Sequence, residues 1–237
     1  MAREEEKGWN VNGLFTRRLL ALVLFGLLHL VLLWYGDILL NYALAGFFLL
    51  MFYKARVRTL LIWISILAVL LVGVLLLNLL AVDLMEGSIR EAQVGGAGKI
   101  EEAIQVYQEA GFSEWLAYRW SNEVVPVLLN MPLSILGVLF MFLLGLAAGK
   151  IGVFKHFSNH RRLVVTVWWI TLAGSVPLLL MIMLLHFGIV DYGMLTDYAI
   201  DTFVVLSGYL LSLFYISSLL ILLQKEAWQR GLKPFSF

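Results

Sequence analysis

The 237-residue sequence contains no cysteine. Neither a disulfide framework nor a thiolate metal site is therefore available to it, and cysteine says nothing about the redox state of its compartment. Charge is scarce as well: 14% of residues are Asp, Glu, Lys or Arg while 62% are hydrophobic, against roughly a quarter and a half in soluble domains. A soluble chain of this length would need a polar surface that 17 basic and 16 acidic side chains cannot cover. Lipid removes that need, and the composition is that of an all-α, polytopic membrane protein. A small-residue cleavage site is missing after the first apolar run, and the start, MAREEEKGWN, is polar and acidic. The first span is therefore expected to be retained rather than removed as a signal. Internal repeats and low-complexity tracts are lacking too, so residues 1–237 read as a single membrane domain.

What is present is a series of six apolar stretches, residues 19–35, 38–53, 59–82, 124–148, 163–187 and 201–223. A bilayer core of ~30 Å needs about 20 helical residues, so the last four can span and the first two look short. Sharing the Tyr35-Gly36-Asp37 corner, those two are expected to form a tight helical hairpin. Loop charge gives an independent count, because Lys and Arg collect on the cytoplasmic side and successive loops alternate sides. Arg3, Lys7, Arg17 and Arg18 precede the first span, Lys54, Arg56 and Arg58 follow the second, Lys150, Lys155, Arg161 and Arg162 follow the fourth, and Lys225, Arg230 and Lys233 follow the sixth. Only Arg90, Lys99 and Arg119 remain for the other face, so six spans with both termini cytoplasmic are expected.

The long connection, residues 83–123, is acidic and holds Gly95, Gly96 and Gly98 ahead of Ile100, Ala103, Ile104 and Tyr107. That spacing predicts an amphipathic surface helix outside the cytoplasm. After Gly111, Ser113 is placed to cap a second short helix bearing Trp115, Leu116, Tyr118 and Trp120, a composition suited to the headgroup zone.

Polar residues within the spans are the candidate chemistry. The densest group is His29, Trp34, Tyr35, Asp37, Asn41 and Tyr42 around the first hairpin. An ionisable group at mid-bilayer costs roughly 2.5–3.5 kcal/mol on insertion scales, so such groups face a bundle interior or a wet cavity. Asp37 has a plain structural role open to it, ending one helix and capping the next. The alternative is a His29–Asp37 pair working as a general base or proton relay, since a carboxylate orients imidazole and raises its basicity. Eight residues in one straight helix rise roughly 12 Å, so direct contact would need help from neighbouring helices.

Elsewhere, Pro126 and Pro132 flank Asn130, and each proline bends a helix and frees a carbonyl. The plain reading is a kink satisfied by Ser, Asn or water; the functional one is a ligand at the opened backbone, with Asn130 among its contacts. Gly145 and Gly149 form a GxxxG, the default sign of a helix-packing face. Gly208, Ser212 and Tyr215 at i, i+4 and i+7 are expected to turn inward, either lining a cavity or making a close helix contact. His186, Asp191, Asp197, Asp201, Asn78 and Glu123 lie near helix ends, where solvation is the plain expectation.

Two patterns are set aside. His156 and His160 have the i, i+4 spacing of helical metal ligands, but Lys155, Arg161 and Arg162 would repel a cation and no carboxylate accompanies them; no metal site is expected. Gly98-Lys99 lacks the leading glycine and the Ser/Thr of a phosphate loop, Ile100 standing in its place. Nothing in the pattern names a cofactor, and no nucleic-acid partner is expected.

The stretch FTRRLLALVLFGLLHLVLLWYGDILLNYALAGFFLL resembles the core signature of the YeiB-like family of bacterial membrane proteins, at Arg17, Arg18, Gly26, His29, Trp34, Gly36, Asp37, Ile38, Tyr42 and Gly46 among others. FMFLLGLAAGKIGVF and GYLLSLFYISSLLILL, with Tyr215, resemble later segments of that family. The resemblance implies a bacterial cytoplasmic membrane location. Since members distantly resemble membrane acyltransferases, it also implies, by analogy of fold, acyl transfer to a cell-envelope acceptor. Members usually begin with a helix carrying an Arg-Gly motif and end with further helices, so the chain is expected to correspond to a middle portion.

The leading expectation is thus an outward-opening site with His29 and Asp37 catalytic and Trp34, Tyr35, Asn41, Asn130 and Tyr215 binding substrate. Two other readings stand beside it. A transporter or transporter subunit would bind a solute at kinked helices, and a noncatalytic assembly subunit would be completed by partner helices or a second copy of the chain. The lipid bilayer is the partner common to all three.

Overall fold

The computed structural model describes residues 11–84, 96–193 and 195–224; Arg3, Lys7, Arg90, Lys225, Arg230 and Lys233 of the charge pattern lie outside them. The described residues are mostly helical, joined by short turns, with no strand among them. That outcome follows from the apolar composition: without water to satisfy backbone N–H and C=O groups, a spanning segment has to satisfy them internally.

The helices are α1 (Val11–Leu28), continued by a π-helical turn over His29–Leu33, α2 (Leu39–Phe52), α3 (Val57–Leu84), α4 (Gly96–Glu109), and α5 (Phe112–Arg119). A second π turn over Trp120–Val124 leads into α6 (Val125–Ile151), followed by α7 (Phe157–His186) and α8 (Leu195–Leu222). Among the described residues, five helices are long and apolar enough to cross a membrane: Gly13–Leu33, Val57–Val82, Phe112–Ile151, Phe157–His186 and Leu195–Leu222. At 14 residues, α2 is shorter, about 21 Å at 1.5 Å per residue. The chain is a membrane protein whose apolar helices contact lipid.

Three expectations change. Gly111, in extended conformation, is the N-cap of α5, not Ser113. The helix that begins there is no separate surface element either, because it runs on as one 40-residue helix to Ile151. The GxxxG face is open: a Cβ on Gly145 or Gly149 would meet nothing within 4 Å.

Contacts divide the chain into two compact units, one within residues 1–73 and 87–147, the other within 74–86 and 148–237. In the first, α1 and α2 approach at glycines. A Cβ on Gly26 would lie 2.7 Å from the backbone nitrogen of Leu40, and one on Gly46 would lie 2.6 Å from Leu19 Cδ2. Lipid supplies no hydrophobic drive between helices, so close van der Waals approach at small residues takes over that part. Ala45, Leu60, Ile64, Leu67, Leu139 and Leu143 form one buried cluster joining α2, α3 and α6. Leu30, Leu40, Val124 and Met131 form another beneath the two π turns.

The second unit is an antiparallel pair. Trp168 Nε1 donates to Ser218 Oγ at 2.8 Å, while a Cβ on Gly174 would touch Leu210, so contacts descend α8 as they ascend α7. Thr171 and Ser175 on α7, and Thr202, Ser207 and Ser217 on α8, are buried. Most of these hydroxyls donate to carbonyls of their own helix, as Ser217 does to Leu213. The stripe expected to turn inward does not: Gly208 is exposed, Tyr215 is 60% exposed, and Ser212 donates to the carbonyl of Gly208 on its own helix.

Candidate functional site

The first π turn makes the site. From His29 the helix widens by one residue, so that Trp34 N–H reaches the carbonyl of His29 at 2.9 Å, five residues back. Trp34 then adopts an extended backbone and the helix ends. Gly36 lets the indole of Trp34 fold over it, since a Cβ there would lie 2.6 Å from the ring. Four residues beyond the helix end, Asp37 Oδ2 accepts the Leu40 N–H at 2.8 Å, which starts α2 in the manner of a cap.

The capping role and the pairing role belong to the same carboxylate. While Oδ2 caps, Oδ1 lies 3.1 Å from His29 Nδ1. Chain reversal at residues 34–38, rather than a neighbouring helix, brings together two residues that a straight helix would hold apart. The approach is close but not aligned as a hydrogen bond, as neither atom has a hydrogen-bond partner; the contact is electrostatic and is strongest when the imidazole carries a proton. Asp37 is buried, with a side chain 1% exposed, whereas that of His29 is 32% exposed. Trp34 stands edge-on to His29 at 6.5 Å and packs against Tyr35 at 6.3 Å.

A cavity of about 550 Å³ lies beside this corner, lined by Tyr35, Asn41, Asn122, Glu123, Asn130 and Ser134 with Pro126, Val127 and Met131. Three of the expected binding residues, Tyr35, Asn41 and Asn130, share it. His29, Asp37 and Trp34 are not in its lining, and the Tyr35–Trp34 contact links the two groups. Asn41 keeps a buried oxygen without a partner; its nitrogen reaches the carbonyl of Asp37 at 3.5 Å. Asn130 donates to the carbonyl of Pro126 at 2.9 Å. Tyr42 packs instead on Phe142, centroids 5.8 Å apart. Tyr215 belongs to α8 in the second unit.

Two residues that hold this corner escaped the sequence reading. Arg119, counted there as a loop charge, is 3% exposed. Its Nη2 donates to the carbonyl of Leu30 at 3.0 Å and its Nη1 to that of Leu33 at 3.1 Å. A widened turn leaves carbonyls without the usual partner, and the guanidinium supplies one. Glu123, expected to be solvated, lies with Oε2 3.4 Å from Arg119 Nε and accepts a short hydrogen bond from Tyr107 Oη. Burial, then that hydrogen bond and the charge of Glu123, push the Tyr107 hydroxyl up to about 12. Trp115 covers the guanidinium at 5.2 Å. The signal in the sequence was WLAYRWSNE, an arginine between tryptophans with a glutamate at i+4.

The second π turn has a visible cause. Pro126 carries no N–H, and Val125 N–H bonds the carbonyl of Trp120 five residues back, so the helix widens just ahead of the proline. Among the described residues no group of three or more His, Asp or Glu could hold a metal ion. His156 stands outside α7 at its N-cap, and Gly98-Lys99 lies within helix α4, not in a loop.

Residues 148–237 match the family model described as "Protein of unknown function (DUF418)". An uncharacterized protein of Bacillus subtilis strain 168, YxaH, is 35% identical over 177 residues, which cover 71% of this chain and 43% of that relative. The chain thus spans less than half the length of the curated relative it matches. No solved structure matches it.

Proposed function

We propose that this chain, a member of the DUF418 family through residues 148–237, and so of the YeiB-like proteins its sequence resembles, is an acyl-transfer component of the bacterial cytoplasmic membrane. The observation that carries the reading is the 3.1 Å approach of Asp37 Oδ1 to His29 Nδ1. A carboxylate charge beside Nδ1 favours the proton on that nitrogen and leaves Nε2 to take another. In the proposed step, Nε2 removes the proton of an acceptor hydroxyl as its oxygen attacks the carbonyl of an acyl donor. The donor's leaving group departs and recovers the proton from the imidazolium. The imidazolium formed midway is the state that Asp37 stabilises. Tyr35, Asn41 and Asn130, lining one cavity, would hold the acceptor, with Trp34 edge-on to the imidazole.

The accompanying topology is six crossings with both termini cytoplasmic, the short α2 completing the hairpin. Its support is the basic connections at Lys54–Arg58 and Lys150–Arg162, which on the cytoplasmic side would leave the Tyr35–Asp37 corner facing outward.

The test is expression of the wild-type chain and of His29→Ala in a host deleted for its own copy. Acyl esters released from isolated envelopes by mild alkali are then quantified by gas chromatography. Acyl transfer predicts an ester-linked acyl group present with wild type and absent with His29→Ala at equal protein level. An unchanged ester profile together with altered solute uptake would favour the transporter instead.

A further inference from the structure

At the basic end of the α7–α8 pair lies an apolar groove of about 370 Å³, lined by Val165, Trp168, Trp169, Ser218, Ile221 and Leu222. We propose that it seats one acyl chain of an anionic phospholipid from the surrounding bilayer, whose phosphate is held by Arg161. The site shares no residue with the His29–Asp37 corner and stands whether or not that corner is catalytic.

The groove offers a ligand almost nothing polar. Its single side-chain hydroxyl, Ser218 Oγ, already accepts the indole N–H of Trp168 at 2.8 Å. That bond also fixes Trp168 as a floor across the two helices, where it packs on Phe214 at 5.5 Å. Trp169 stands edge-on to it at 4.7 Å and is 59% exposed, forming an aromatic wall. A hydrocarbon chain fits such a slot; a sugar or an amino acid would leave its polar groups unpaired.

Charge identifies the other half of the ligand. Val165, Trp168 and Trp169 follow Arg161 at i+4, i+7 and i+8, so all four lie on one face of α7, and Arg161 stands one turn, about 5.4 Å, beyond the groove. Arg161 and Arg162 are exposed, and no Asp or Glu occurs from residue 148 to 186 or from 202 to 224. Exposed indoles beside basic residues mark the headgroup level, and a basic pocket between helices at that level is suited to an anionic headgroup. A second copy of the chain laid on this groove would bring the same positive end against itself unless inverted, so lipid is the better match.

The test is native mass spectrometry of the purified chain released from micelles, titrated with phosphatidylglycerol or with phosphatidylcholine of the same acyl chains. One arm contains inorganic phosphate alone. The expected result is retained phosphatidylglycerol in preference to phosphatidylcholine. Arg161→Gln should lower that retention about fivefold, the effect of about 1 kcal/mol per basic residue near a headgroup. Trp169→Ala should lower retention of both lipids, while Arg161→Lys and the remote Arg58→Gln retain the preference. Equal retention of the two lipids, an undiminished preference in Arg161→Gln, or phosphate alone displacing phosphatidylglycerol would overturn the site, as would dimers in place of lipid adducts. The wild type offers a check independent of folding in the variants: diazirine-bearing phosphatidylglycerol should crosslink within residues 165–169 or 218–222, and crosslinks confined elsewhere would also overturn it.

Discussion

Arg119 donates to the carbonyl of Leu30 across 3.0 Å, joining residues 89 positions apart and pinning the widened turn that carries His29. A side chain that enters the sequence as a stray loop charge thus sets the backbone of the candidate site. Its second bond, to Leu33, means that two carbonyls in an apolar surrounding depend on one guanidinium.

Replacing that fork tests the dependence. Arg119→Ala leaves both carbonyls and Glu123 without it, and breaking a buried charged pair costs on the order of 3–5 kcal/mol. Arg119→Lys keeps the charge but gives up the planar fork whose two nitrogens reach the carbonyls of Leu30 and Leu33 separately, so the loss should be smaller, about 1–3 kcal/mol. Thermal unfolding in detergent reads both, and an Arg119→Ala protein as stable as wild type would remove Arg119 from the account.

The two oxygens of Asp37 can be separated. Asp37→Asn retains an oxygen to accept the Leu40 N–H but gives up the charge facing His29, so the melting temperature should stay close to wild type while ester formation is lost. Asp37→Ala removes the cap as well and should cost a further ~1 kcal/mol of stability.

Glycine position matters more than glycine pattern. Gly26→Ala forces a methyl to 2.7 Å from the Leu40 backbone nitrogen, and α1 and α2 have to separate; overpacking of this kind costs about 1–3 kcal/mol. Gly145→Ala meets open space and should change stability by no more than about 0.5 kcal/mol. Parallel melts of the two variants check the contrast.

Tyr107 gives a prediction in pH. Its hydroxyl titrates at about 12 in the folded chain, above the ordinary value near 10. The unfolded chain therefore loses this proton first. The stabilisation tied to the protonated hydroxyl is complete below pH ~10 and is lost as pH rises toward ~12. In an absorbance titration of the phenolates, the transition near pH 12 should vanish in Tyr107→Phe. In Glu123→Gln it should move only part of the way down, because burial is the larger cause of the shift.

The apolar runs and charged connections made the helices legible, and the ends moved for a simple reason. Helix α7 begins at Phe157 rather than near 163, and α8 at Leu195 rather than 201, because polar residues at a membrane surface continue a helix that hydropathy alone would stop. The two π turns were not legible, since a shift of hydrogen-bond register leaves no mark on composition. Without the chain reversal at residues 34–38 that follows the first of them, contact between His29 and Asp37 looked too distant for one helix. The openness of Gly145 and Gly149 and the outward face of Tyr215 were hidden similarly: a stripe of small or polar residues records that something approaches, but Gly26 shows that one glycine at the right register suffices. Arg119 was obscured because its partners are backbone carbonyls, which no side-chain pattern announces.

The most direct test is nitrogen NMR of the chain carrying ¹⁵N-histidine, with the His29 signal assigned by its loss in His29→Gln. In wild type the Nδ1 of His29 should carry the proton on the side of Asp37 and Nε2 should be the unprotonated nitrogen, and Asp37→Asn should shift this balance. Identical His29 spectra in wild type and Asp37→Asn would contradict it, for the carboxylate 3.1 Å away would then have no hold on the ring.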